Sequence, residues 1–359
     1  MKNNERVKGG SMNILELKNI YGINRVLSPP NVLPQAAYQL DVRLPINDYE
    51  LLIEVEVLNI DSASFRQIVE SNNYDEEEIK KTILKIIKER GKMQNPITGS
   101  GGMLIGQVKE IGKYHPANNL VKVGDRIATL VSLTLTPLIV ERIKGLDLKT
   151  GQVRVEGQAI LFSSGIFAKL PNDLSESVAL AVLDVAGAPA QTRKLVEKGQ
   201  TVVILGAGGK SGLLSLYQAK QKVGDQGKVI AVENSKAGIE ILKKLNLADE
   251  IINVSANNAI ELLTEILKVT EGKLADTTIN CVNVPDTEMS SILITKDKGT
   301  VYFFSMATSF SKAALGAEGV GKDLTLIIGN GYTSGHAEIA LNTLREYQPL
   351  YKYFQEKYN

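Results

Sequence analysis

Between Thr201 and Leu216 the chain reads TVVILGAGGKSGLLSL, and this stretch limits the possible folds more than any other. A β-branched, apolar run ends at Leu205, glycines stand at 206, 208, 209 and 212, and a helix-forming run begins at Ser211. A short apolar run without polar alternation suits a strand covered on both faces. Glycine between such a strand and a helix allows a tight turn and lets backbone N–H groups approach a pyrophosphate at the helix N-terminus. The spacing, Gly-x-Gly-Gly-x-x-Gly, is one residue longer than the usual dinucleotide fingerprint.

The C-terminal half of the chain strengthens the reading. Apolar runs at Thr201–Leu205, Lys228–Val232, Glu250–Val254, Thr277–Val282, Thr300–Ser305 and Leu324–Ile328 are separated mostly by helical stretches at Ser211–Val223, Lys236–Leu245, Asn258–Val269 and Asp286–Ile294. That alternation predicts an α/β domain with a doubly wound parallel sheet. Glu233 closes the second run, 21 residues beyond Gly212. A carboxylate there accepts hydrogen bonds from ribose hydroxyls and repels a 2′-phosphate, so the cofactor expected is NAD. The cofactor-binding set is Gly206, Ala207, Gly208, Gly209, Lys210, Ser211, Gly212, Glu233 and Asn234, with Met306 in the loop after the fifth run. Lys210 either pairs with a phosphate or points into water.

Residues 1–180 differ in texture, with β-like runs at Glu50–Asn59, Gly102–Gly112 and Leu120–Leu130 bounded by glycines. Asp75–Arg90 (DEEEIKKTILKIIKER) places Ile79, Ile83, Ile86 and Ile87 on one helical face, with acids first and bases last, as the helix dipole favours. It reads as a helix packed on its own domain or at a dimer contact. The division expected is 1–180 as one domain, joined by a return at 331–359, and 181–330 as the dinucleotide-binding domain. Cys281 is the sole cysteine, and with only His115 and His336 it makes a poor inventory for zinc. Cys281 is read as an inert hydrophobe on a strand, and His115 as solvent-exposed. With 41 basic against 40 acidic residues, nothing draws the chain to nucleic acid or an anionic membrane. No secretory signal or membrane-length apolar run is visible, and a cytoplasmic protein is expected.

With these parts in place the chain resembles the medium-chain dehydrogenase/reductase superfamily. Val123–Ile127 (VGDRI) resembles its xGDRV turn and Gly106–Gly112 its GxVxEVG strand. The resemblance implies a GroES-like catalytic domain followed by a Rossmann domain. Zinc-dependent members carry a cysteine in a GxCGTD-like segment where this chain reads Asn59-Ile60-Asp61-Ser62-Ala63-Ser64. Their GHE segment aligns with Gly101-Gly102-Met103, and their later cysteine falls near Asp184 or Val185. The four-cysteine structural lobe is missing too, so no metal is expected. More narrowly, SGIFAKLPNDL, VLDVAGAPAQTRK, ILGAGGKSGLLS and GHAEIALNTLRE are similar to the diamino-acid dehydrogenases of bacterial lysine fermentation. This implies NAD-dependent oxidative deamination of a small diamino acid, 3,5-diaminohexanoate, to 5-amino-3-oxohexanoate, ammonium and NADH.

Oxidising an amine-bearing carbon requires the neutral amine, and an alkyl ammonium has a pKa of about 10, so a base must take the proton. Asp61 is the candidate base or ammonium ligand, and Asp184 the candidate for the second amine or the water. Each has an ordinary alternative as a helix or turn cap. Ser62, Ser64, Arg66 and His336 are the candidate substrate-binding residues, Arg66 for the carboxylate. Gly316–Lys322 (GAEGVGK) reads as a mobile loop, and the apolar edge at Leu324–Ile328 predicts a homodimer. Two other readings keep the fold: a zinc-free quinone or enone reductase using NAD(P)H, and a nucleotide-binding protein without catalysis.

Overall fold

A computed structural model of the chain describes residues 13–305, 307–329 and 331–358, the side chain of Ser62 excepted. Its contacts divide it into two compact units at Leu170/Pro171.

The first unit runs through α1 (Ile14–Ile20), β1 (Val26–Ser28), β2 (Gln39–Leu40), β3 (Glu50–Ile60), α2 (Ser62–Ser71), α3 (Glu76–Arg90), β4 (Gly102–Ile111), β5 (Arg126–Thr129), β6 (Leu138–Asp147), β7 (Gln152–Phe162) and β8 (Phe167–Lys169). Six strands form an antiparallel sheet in the order β6-β7-β3-β4-β5-β8, while β1 and β2 pair separately. Its core joins Leu51, Ile53, Val55 and Leu58 of β3 to Ile79, Ile83, Ile86 and Ile87 of α3. The expected amphipathic helix is therefore present and packs within its own unit. Asp75 caps it, accepting from the N–H groups of Glu77 and Glu78, and Gly91 ends it at φ +64°.

The second unit continues through α4 (Glu176–Leu183), α5 (Gly187–Leu195), β9 (Thr201–Leu205), α6 (Lys210–Val223), β10 (Lys228–Val232), α7 (Lys236–Leu245), β11 (Glu250–Ile252), α8 (Ala259–Val269), β12 (Ala275–Asn280), α9 (Glu288–Ile294), β13 (Thr295–Phe303), α10 (Phe310–Gly319), β14 (Thr325–Ile328), α11 (His336–Glu346) and α12 (Gln348–Tyr358). All its strands are parallel, in the order β11-β10-β9-β12-β13-β14. That order is the doubly wound Rossmann arrangement, with the reversal between β9 and β12. Val203, Leu205, Ile230, Val232 and Ile252 of the sheet pack with Leu262 and Ile266 of α8.

Three expectations meet a different structure here. The division falls at Leu170 rather than 180, and α11 and α12 pack on α4, α5 and α6 in the second unit rather than returning to the first. Residues 316–319 are the last turn of α10 and not a loop, and Lys322 is tied down: its Nζ donates to the carbonyls of Leu293 (2.8 Å) and Ile292 (3.2 Å) at the end of α9. The last described helix, α12, buries Leu350 and Phe354.

Candidate functional site

The glycine loop leaves the carboxyl end of β9 with Gly206 at φ +71°, a conformation glycine adopts without strain. A Cβ on Gly206 would stand 3.1 Å from the backbone of Cys281 and Val282, the segment leaving the neighbouring strand β12. A Cβ on Gly212 would stand 2.3 Å from the Gly206 carbonyl oxygen, so α6 lies hard against the turn. Gly209 is the N-cap of α6 and offers no side chain to cap it, which leaves first-turn N–H groups for an anion. The loop thus sits at the topological reversal, where open α/β sheets bind nucleotides.

Glu233 comes directly after β10 and turns its carboxylate to this loop. Oε2 accepts from Gly208 N–H at 3.0 Å, and Oε1 accepts from the N–H groups of Asn234 (3.0 Å) and Ser235 (2.8 Å). Backbone amides therefore orient the carboxylate beside the loop. A Gly-rich turn, an uncapped helix start and a fixed acid are the parts an adenine dinucleotide requires, so these residues fit one. Ala207 is buried in the turn, while Asn234 is exposed. Met306 lies outside the described residues.

Lys210 opens α6 and is partnered rather than free in water: its Nζ lies 2.7 Å from Asp184 Oδ2, with Asp184 at the C-cap of α4. The same ammonium stands 5.9 Å from the centre of the Tyr358 ring. The spacing of Tyr347, Tyr351, Phe354 and Tyr358 is helical, and read that way it would have pointed to a terminal helix carrying Tyr358. His336 is the buried first residue of α11, its ring edge-on to Tyr332 at 5.1 Å. Burial lowers its pKa and favours the neutral ring. Cys281 lies just past the end of β12 rather than on the strand and is half-buried, and desolvation of its thiol pushes the pKa up to about 12, so it stays protonated.

In the first unit, Asp61 is the N-cap of α2, and Oδ1 accepts from Ser64 N–H at 3.0 Å. Its other oxygen, Oδ2, is enclosed and has no hydrogen-bond partner among the described residues. The capping alternative and an open acceptor thus coexist on one side chain. Ser64 is fully buried, its Oγ 2.6 Å from Thr98 Oγ1 and 2.8 Å from Ser100 Oγ. This closed set of hydroxyls holds Ser64 in the interior, a placement the local pattern did not reveal. Arg66 is exposed on α2 and lines a cavity of about 300 Å³ with Glu70, Tyr74, Lys149 and Thr150. His115 is buried, against expectation: Nδ1 accepts from Ala117 N–H at 3.0 Å, and burial pushes its pKa down to about 4. A histidine can cap a turn as aspartate does, and here that use draws the ring inward.

Among the described residues no three His, Cys, Asp or Glu side chains gather as a metal ion would need. Residues 24–171 match the L-erythro-3,5-diaminohexanoate dehydrogenase N-terminal domain, and residues 212–326 match the family described as zinc-binding dehydrogenase. The chain is 53% identical over 339 residues to the L-erythro-3,5-diaminohexanoate dehydrogenase of Acetoanaerobium sticklandii, covering 94% of this chain and 98% of that one. It is 52% identical over 338 residues to the enzyme of the same name from Fusobacterium nucleatum, with the same coverage. An alcohol dehydrogenase from Thermotoga maritima shares the fold, with a TM-score of 0.54 at 17% identity over 87% of this chain and 86% of that one. Identity above one half across nearly the whole of both chains settles the family: this chain belongs to the L-erythro-3,5-diaminohexanoate dehydrogenases and is a dehydrogenase that uses a nicotinamide cofactor on a small-molecule substrate.

Proposed function

We propose that the chain catalyses NAD-dependent oxidative deamination of L-erythro-3,5-diaminohexanoate to 5-amino-3-oxohexanoate, without a metal ion. Identity of 53% over 94% of the chain to a relative of that name is the observation that carries the reading. One water enters and the products are ammonium, the oxo acid, NADH and a proton. When bound, the dinucleotide supplies the hydride acceptor.

The chain's own residues handle protons and charge. Asp61 Oδ2, which has no hydrogen-bond partner among the described residues, receives the reacting ammonium and takes its proton, while Oδ1 keeps the side chain fixed on α2. Arg66 and Lys149, which line the same cavity, supply the positive charge for the substrate carboxylate. Asp184 is the second carboxylate, for the other ammonium or the water, its charge shared with Lys210. Glu233 selects NAD, because its carboxylate accepts from ribose hydroxyls and repels a 2′-phosphate. The working form is a homodimer joined at the β14 edge, and the unpaired Cys281 suits the reducing cytoplasm.

The test is reduction of NAD and of NADP with 3,5-diaminohexanoate, lysine and β-lysine side by side, with ammonium quantified. The expected result is one ammonium per NADH with the first substrate only. Equal turnover on lysine, or NADH formed without ammonium, would overturn it.

A further inference from the structure

Gly238 is the third residue of α7, a helix that otherwise reads KAGIEILKKL and has no need of glycine there. Glycine is among the poorest helix formers, so its presence requires another reason. Space supplies one. A Cβ built on Gly238 would stand 2.6 Å from both Cγ and Cδ of Glu233 and 2.7 Å from Ser235 Oγ. Real Cβ contacts are not that short, so a methyl group there must displace the acid or its neighbour. From the other side, a Cβ on Gly208 would stand 2.6 Å from Gly238 Cα and 2.9 Å from Glu233 Oε2. The two glycines, one in the dinucleotide loop and one in α7, enclose the carboxylate between them.

Hydrogen bonds close the same circuit. Ser235 caps α7 by accepting from Gly238 N–H at 3.1 Å, and its own N–H donates to Glu233 Oε1 at 2.8 Å. The structure assigns Gly238 a positioning role: by lacking a side chain it keeps the volume that the Glu233 carboxylate fills, and so sets the preference for NAD over NADP. This role rests on the proposed use of NAD.

A glycine needed only for packing of loop on helix gives a different signature. Its replacement would weaken NAD and NADP alike, and shortening Glu233 would bring no relief. Equilibrium titration of NAD and NADP into the intact chain, monitored by calorimetry, separates the two roles. Gly238→Ala is expected to lower the NADP-to-NAD ratio of Kd values at least fivefold. Combining it with Glu233→Asp, which withdraws the carboxylate by one methylene, is expected to tighten NAD binding relative to Gly238→Ala alone. Should Gly238→Ala still melt cooperatively but be too unstable to titrate, the cycle is read in Tm, where Glu233→Asp must raise Tm in the G238A background and not in the parent. A ratio changed less than fivefold, or no relief from the shorter acid, overturns the inference while leaving NAD binding by the parent intact. A parent chain that binds no NAD overturns this inference and the cofactor reading together.

Discussion

A carboxylate oxygen removed from water without a hydrogen-bond partner is costly, and Asp61 Oδ2 has none among the described residues. Its partner oxygen serves as a helix cap, so the two functions separate on mutation. Asparagine caps helices about as well as aspartate. Asp61→Asn is therefore expected to keep Tm within a few degrees while kcat with 3,5-diaminohexanoate falls by about 100-fold or more, the usual scale of general-base loss. Lys92 gives a second prediction. Its side chain is fully buried, Nζ donating to the carbonyls of Pro34 (2.8 Å) and Gln35 (3.2 Å), and burial pushes its pKa down to about 8. The unfolded chain then binds more protons than the folded one between about pH 8 and the ordinary lysine value of about 10.4, so stability rises with pH across that window. Below pH 8 the gain is lost, because the ammonium must be buried charged. Urea midpoints measured from pH 7.5 to 10.5 should climb in the parent and climb less in Lys92→Met. Local sequence could place Asp61 and Glu233 because each adjoins a recognisable turn. It could not pair Asp184 with Lys210, since 26 residues separate them and only the packing of the second unit brings them together.

Elements built on periodicity were readable in advance. Residues 201–205, 228–232 and 236–245 agree with the sequence reading to the residue, because buried parallel strands and capped amphipathic helices are defined by nearby composition. Gly316–Lys322 went the other way. Its glycines at 316, 319 and 321 signal a turn, but Gly316 lies inside α10, where a Cβ would stand 2.5 Å from Met289 Sδ. The glycine marks a close approach of α10 to α9, a tertiary fact that no window of sequence contains. Lys322 then fastens the turn after α10 to the C-terminal carbonyls of α9, with burial lowering its pKa. Lys322→Met should cost about 2 kcal/mol, the range for hydrogen bonds from a charged donor, measured by denaturant unfolding at neutral pH. The short α2 was also missed, because Asp61-Ser62-Ala63-Ser64 reads as a turn until the helix that it caps is seen.

At the scale of the molecule, the parallel sheet ends at β14, whose outer side has no partner strand among the described residues. Ile328 on that strand and Leu315 on α10 are exposed apolar side chains. An uncovered edge of this kind invites strand pairing with another copy. Sedimentation should give twice the chain mass for the parent, and Ile328→Lys should shift the population to single chains. The position of the final helix has a practical outcome as well. Tyr358 stands beside the ammonium of Lys210. Any bulky reporter group coupled at that tyrosine would stand next to the first turn of α6, beside the pyrophosphate seat, so labels for binding work belong elsewhere on the chain.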